Sequence, residues 1–140
     1  MDRILALDIG EKRVGVAISD PFRMFAQPLE VLNIRGKADL IGKIGKYITS
    51  YNVEKIVIGN PLSKDGSESR FSKKIGEIAK LIFQHYNIPT VLWDERLSSE
   101  EAQRYIRESG KKYIKKHIDK VSAQIILQSY LERERNAGSN

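Results

Sequence analysis

The sequence predicts an α/β fold: a five-stranded mixed sheet, made of a three-stranded antiparallel meander plus two parallel strands, flanked by helices. Three observations carry this expectation. Apolar runs bounded by turn residues come first, at Ile4 to Asp8, Val14 to Ser19 and Leu29 to Ile34, joined by links too short for crossovers. Two later apolar runs, Ile56-Val57-Ile58 and Thr90-Val91-Leu92-Trp93, each follow a segment of helical periodicity, the order that enters a sheet parallel to its first strand. Finally, 140 residues at 41% hydrophobic are enough for one ordinary domain with a real core.

Each element has its own signal. The first strand ends in the lone carboxylate of Asp8, and Ile9-Gly10 leads through a turn carrying Lys12 and Arg13 into the second strand. Asp and Gly are also common turn residues, so a plain turn explains this segment by itself. A Pro21 to Pro28 loop precedes the third strand. Leu40, Ile41, Ile44, Tyr47 and Ile48 give Asp39 to Tyr51 a helical stripe, and Lys55 to Gly59 is the fourth strand. Asn60-Pro61 and Gly66 follow, in a segment where backbone can approach a substrate or simply turn. From about Ser67 the stripe of Phe71, Ile75, Ile78, Ala79, Ile82 and Phe83 marks a second helix. Pro89 opens the fifth strand, which ends in Asp94-Glu95. Ser98 with Glu101 forms a capping box for a helix over Ala102, Tyr105 and Ile106 that Gly110 stops. After the basic segment Lys111 to His117, a last helix runs from Ile118 or Asp119 to about Arg135. Residues 1–135 are expected to be a single domain and residues 136–140 a flexible tail.

This order brings acids together. If the late strands run parallel to the first, Asp8 and the pair Asp94-Glu95 meet at one end of the sheet, where α/β proteins bind ligands. Carboxylates placed close together repel unless a cation lies between them. Asp119 shares a helical stripe with Ala123, Ile126 and Tyr130, so it belongs to a buried face, although an acid in a first turn also caps a helix. With no cysteine and two histidines, any metal is held by carboxylates, which favours Mg²⁺ or Mn²⁺. No leader and no apolar run of roughly 18 residues is present, and the absence of cysteine agrees with a cytoplasmic location and no membrane partner. The net charge is +6, and residues 96–120 hold eight basic residues against four acids, a distribution that suits a polyanion.

Paired divalent ions roughly 4 Å apart suit phosphodiester hydrolysis, which needs an activated water and charge stabilisation at phosphorus. Ser19, Ser98 and His117 show no spacing that would build a nucleophile triad. Lys12, Arg13, Arg70 and Arg96 are placed to ring the acidic edge and hold phosphates. Lys111, Lys112, Lys115 and Lys116, with Tyr113 among them, offer phosphate contact and base stacking.

Four blocks of this sequence resemble the YqgF/RuvX family. They are Asp8-Ile9-Gly10 with Arg13 and Gly15-Val16-Ala17; Ile58-Gly59-Asn60-Pro61-Leu62 with Asp65-Gly66; Asp94-Glu95-Arg96-Leu97-Ser98; and Asp119 ahead of Ser122-Ala123 and Ile126-Leu127-Gln128-Ser129-Tyr130-Leu131. The resemblance covers nearly the whole chain. It implies a ribonuclease H-like fold related to the RuvC Holliday junction resolvases, and a metal-dependent nuclease that processes the 5′ end of precursor 16S ribosomal RNA. It also implies Asp8, Glu95 and Asp119 as catalytic and metal-binding acids; Asn60 is an expected nucleic-acid contact from the reading of its own segment. One departure from RuvC-type resolvases is that Asn60 stands where their middle acid lies, and Glu95 on the next strand takes that role. RNA is therefore the expected substrate ahead of branched DNA, and the expected state is a monomer or weak homodimer. Two other classes share features with this chain. Actin-like ATPases use an Asp-x-Gly hairpin but need a second domain, and a nucleic-acid-binding module would bind without cutting.

Overall fold

Strand alternation sorts the apolar residues into two cores, one on each face of a sheet ordered β3-β2-β1-β4-β5. The computed structural model describes residues 2–63, 65–97 and 118–138, with residues 118–120 and 138 described as helix without their side chains. β1 (Arg3–Ile9), β2 (Arg13–Ser19) and β3 (Ala26–Asn33) form the antiparallel meander. β4 (Val53–Asn60) and β5 (Thr90–Asp94) continue it in parallel with β1. The expected sheet is therefore the observed one. Leu5, Leu7 and Ile9 of β1 face α1 (Lys37–Ser50) and α2 (Arg70–Tyr86), in a core with Leu40, Ile44, Ile75 and Ile82. Ile4 and Ala6 face the opposite way, toward Ala123, Ile126, Leu127, Tyr130 and Leu131 of α3 (Ile118–Gly138).

Most boundaries shift by a residue or two from the sequence expectation, and three of the differences have a local reason. β3 begins at Ala26, ahead of Leu29, and includes Pro28. Its place at the edge of the sheet leaves one side free of hydrogen-bond obligations, and the register shifts where Pro28 meets Ala17. α2 begins at Arg70 because Asp65 Oδ1 accepts from the Ser67 N–H at 2.9 Å and its hydroxyl at 2.6 Å, which holds a turn there. Ser69 then caps the helix, accepting from the Ser72 N–H at 3.1 Å. α3 continues to Gly138, so residues 136–138 are helical where a flexible tail was expected. No proline or glycine interrupts the helix before Gly138, and Arg135 Nη1 donates to the Met24 carbonyl at 2.8 Å. The helix expected over Ala102, Tyr105 and Ile106 lies outside the described residues.

α3 runs antiparallel to β4. Ile126 packs at Gly59, near the carboxyl end of that strand, while Lys55 near its start donates to Tyr130 Oη at 2.8 Å and Glu134 Oε2 at 3.2 Å. Two glutamines bind the helix to the edge strand. Gln124 Nε2 donates to the Ala26 carbonyl at 3.0 Å, and Gln128 accepts from the Ala26 N–H at 2.8 Å while donating to the Met24 carbonyl at 3.2 Å. The loop before β3 is organised by Asp20, whose carboxylate accepts from the N–H groups of Phe22, Met24 and Phe25 at 3.1, 2.7 and 2.8 Å. Among the described residues no helix is long and apolar enough to cross a membrane.

Candidate active site

Parallel pairing of β1, β4 and β5 puts the carboxyl ends of all three strands on one edge. Asp8 is the next-to-last residue of β1, and its alternation with Ile4 and Ala6 places it on the α3 face. Glu95 opens the 3₁₀ turn Glu95–Leu97 that follows β5. The turn is secured from α3, where Ser129 Oγ donates to the Leu97 carbonyl at 2.9 Å.

The side chains of Asp8 and Glu95 are hydrogen-bonded to each other. Two carboxylates this close repel unless a proton or a cation lies between them. Burial pushes the Glu95 carboxyl above the ordinary carboxylate range and the neighbouring Asp94 charge pushes it the same way, while the bond to Asp8 pulls it back. The expected convergence of Asp8 with Glu95 is thus present.

Asp94 is held apart from the pair. Arg96 Nε lies 3.0 Å from each of its oxygens, Nη2 lies 2.7 Å from Oδ2, and the Arg96 N–H donates to Oδ1 at 2.9 Å. The hydrogen bond from the Arg96 side chain keeps the Asp94 carboxyl below its usual range. The same guanidinium lies against Gly66, whose φ of +86° admits few other residues and whose added β-carbon would meet Nη2 at 3.3 Å. Arg96, expected on a phosphate, is thus engaged with Asp94 and the Asp65-Gly66 turn.

The remaining expected site residues divide into three groups. Lys12 and Arg13 are exposed on the β1–β2 turn and border an open cavity of about 500 Å³ that Asp8 and Gly10 also line. Asn60 ends β4 in register with Asp94 but lines a different groove, of about 530 Å³, between α2 and β5. Its Oδ1 is buried without a hydrogen-bond partner among the described residues. Arg70 is exposed at the first position of α2. Asp119 lies in the first turn of α3, seven residues or about 10 Å of helix ahead of Ile126, and so toward the acidic edge. Its side chain, and Lys111, Lys112, Lys115 and Lys116 altogether, lie outside the described residues.

Asp8 and Glu95 offer hard oxygen donors, the type that Mg²⁺ and Mn²⁺ take. Among the described residues no group of three or more His, Asp or Glu side chains is placed to hold a metal.

With this geometry the chain can be set beside known proteins. The family profile described as RuvX, Holliday junction resolvase, matches residues 2–133. The chain belongs to the RuvX family. Among RuvX relatives, one from Caldicellulosiruptor bescii is 49% identical over 134 residues, spanning 93% of this chain and 96% of its own, and is named "Putative pre-16S rRNA nuclease". One from Dictyoglomus thermophilum bears the same name at 42% identity over 132 residues, with 93% and 95% covered. In structure, this RuvX chain matches Thermus thermophilus RuvC in complex with a Holliday junction substrate, with a TM-score of 0.66 at 12% identity, covering 97% of this chain and 96% of that one. It matches the fowlpox virus resolvase bound to Holliday junction DNA with a TM-score of 0.59 at 17% identity, covering 94% and 98%. At such identities the likeness is one of fold, and the fold is the ribonuclease H-like one.

Proposed function

We propose that this RuvX chain is a divalent-metal-dependent nuclease of the cytoplasm that processes the 5′ end of precursor 16S ribosomal RNA. The observation that carries the reading is the hydrogen-bonded pair Asp8 and Glu95, gathered at one end of the sheet toward which the first turn of α3 brings Asp119. The names of relatives up to 49% identical support the choice of substrate. In this reading residues 1–135 act as one nuclease domain.

Asp8, Glu95 and Asp119 would hold the cations. When bound, Mg²⁺ or Mn²⁺ ions supply a water of lowered pKa and offset charge on the phosphorane. The chain's own groups do the rest. Asp8 projects from a paired strand and Glu95 from a turn anchored by Ser129, so neither ligand has to be ordered when substrate arrives. Arg96 pairs with Asp94 and offsets part of its charge, which still pushes the Glu95 carboxyl up. Lys12 and Arg13, with Lys111, Lys112, Lys115 and Lys116, orient the phosphate backbone. Arg70 and Asn60 extend contact along the strand.

Asp8→Asn, Glu95→Gln and Asp119→Asn should each abolish Mn²⁺-dependent cleavage of a labelled 16S precursor while circular dichroism stays that of wild type. Full activity in purified Asp8→Asn protein would refute the mechanism. A second reading, Holliday junction resolution, is favoured by the description of the family profile and by the RuvC likeness. Paired cuts on a symmetric junction need two sites, hence a dimer, whereas RNA trimming suits a monomer or weak homodimer. Rates on RNA and on a four-way junction at equal salt, with light scattering for mass, separate the two. Faster symmetric junction cleavage by a stable dimer would replace the RNA reading.

A further inference from the structure

Position 59 lies on the α3 face of β4, two residues after Val57 and in register with Trp93 of β5. A β-carbon there would lie 2.5 Å from Ile126 Cδ1, 2.7 Å from Glu95 Oε1 and 3.3 Å from Glu95 Cδ. At 2.5 and 2.7 Å something must shift, and the atoms met are the ends of two side chains, Ile126 from α3 and Glu95 from the turn after β5, which occupy the volume that any other residue on β4 would claim and would have to move to admit it. The backbone does not explain the glycine. Gly36 and Gly66 have φ of +131° and +86°, whereas Gly59 is not among the positive-φ positions. Glycine inside a strand weakens it, and close approach by another group is a physical reason to keep one there.

We propose that Gly59 is the positioning residue for Glu95: the missing β-carbon on β4 is what allows a carboxylate from the turn after β5 to fold back over the end of the sheet and reach Asp8. The inference rests on Glu95 being a cation ligand. Gly59 also admits Ile126, so one vacancy sets both the inward fold of Glu95 and the seating of the helix that carries Asp119. The site's middle acid is in effect borrowed from the turn after β5, and β4 accommodates it by having no side chain at this position.

The test uses Gly59→Ala, Ile126→Val and the two combined, with Glu95→Gln as reference. Mn²⁺ affinity is measured by titration calorimetry and melting temperature alongside, both without nucleic acid. Ile126→Val removes Cδ1 and should bind Mn²⁺ as wild type does. Gly59→Ala should melt lower and bind Mn²⁺ about ten- to hundred-fold more weakly, the range seen when a group that orients a metal ligand is removed. The double variant decides the matter, because valine relieves the contact with α3 and leaves the one with Glu95. Its melting temperature should return to that of Ile126→Val while the Mn²⁺ defect persists. Wild-type Mn²⁺ affinity in the double variant would overturn the proposal, since Gly59 would then matter only to packing. Unchanged affinity in Glu95→Gln would remove the reading beneath it instead.

Discussion

Asp94 and Glu95 are adjacent in sequence and opposite in circumstance. The sequence places both at the end of a strand but does not tell which one turns inward, because that depends on Arg96 folding back two residues onto Asp94 and on the vacancy at Gly59 across the sheet. Neither partner has a periodic signature. What was legible was the acid at the mouth of β1, since an apolar run ending in a single carboxylate fixes both the strand and the place of the charge. Two outcomes follow for single side chains. In EDTA at pH 8, Glu95→Gln should melt above wild type, because an amide removes the cost of a half-buried carboxylate beside Asp8 and Asp94. Differential scanning calorimetry checks this. Arg96→Ala should leave the salt dependence of RNA binding unchanged, since its guanidinium is committed to Asp94. A shallower salt slope in that variant would return Arg96 to the phosphate contacts.

The loop from Asp20 to Phe25 joins β2 to β3 without regular structure, yet three backbone N–H groups converge on one carboxylate. Partial burial pushes the Asp20 carboxyl up, but the bonds from Phe25, Met24 and Phe22 outweigh it and hold the group below its ordinary value. An acid depressed in the folded state stabilises the fold above its unfolded pKa near 4 and loses that contribution as pH falls through the folded value. Asp20→Asn should therefore cost about 1 kcal/mol at pH 7, a figure kept small by the loop's exposure, and the gap from wild type in urea melts should close between pH 4 and pH 2. A constant gap across that range would mean that charge is not the cause. In the packed elements the expected costs are larger. Leu40→Ala in α1 and Ile82→Ala in α2 remove fully buried side chains and should each lower stability by about 2 to 5 kcal/mol in the same assay. Helical and strand periodicity disclosed these cores. The start of β3 was hidden because Pro28 reads as a breaker until the strand is known to lie at an edge.

The whole chain is polarised along its strands. The acids and the Lys12-Arg13 turn occupy one end of the sheet, and the Asp20 loop, where β2 ends, occupies the other. Replacing Lys12 and Arg13 together by Ala should flatten the dependence of log affinity on log salt by roughly 0.7 to 0.9 for each phosphate left unneutralised, measured by fluorescence anisotropy with a single-stranded RNA. An unchanged slope would remove that turn from the interface. α3 spans the two ends. Gln128 sits nine residues, or about 13 Å of helix, from Asp119, and it grips backbone groups of Met24 and Ala26 at the far side of the molecule. Gln128 therefore moors the helix that carries Asp119 to the edge strand at the end of the sheet away from Asp8, so the seat of that helix is fixed from behind as well as beside the acids.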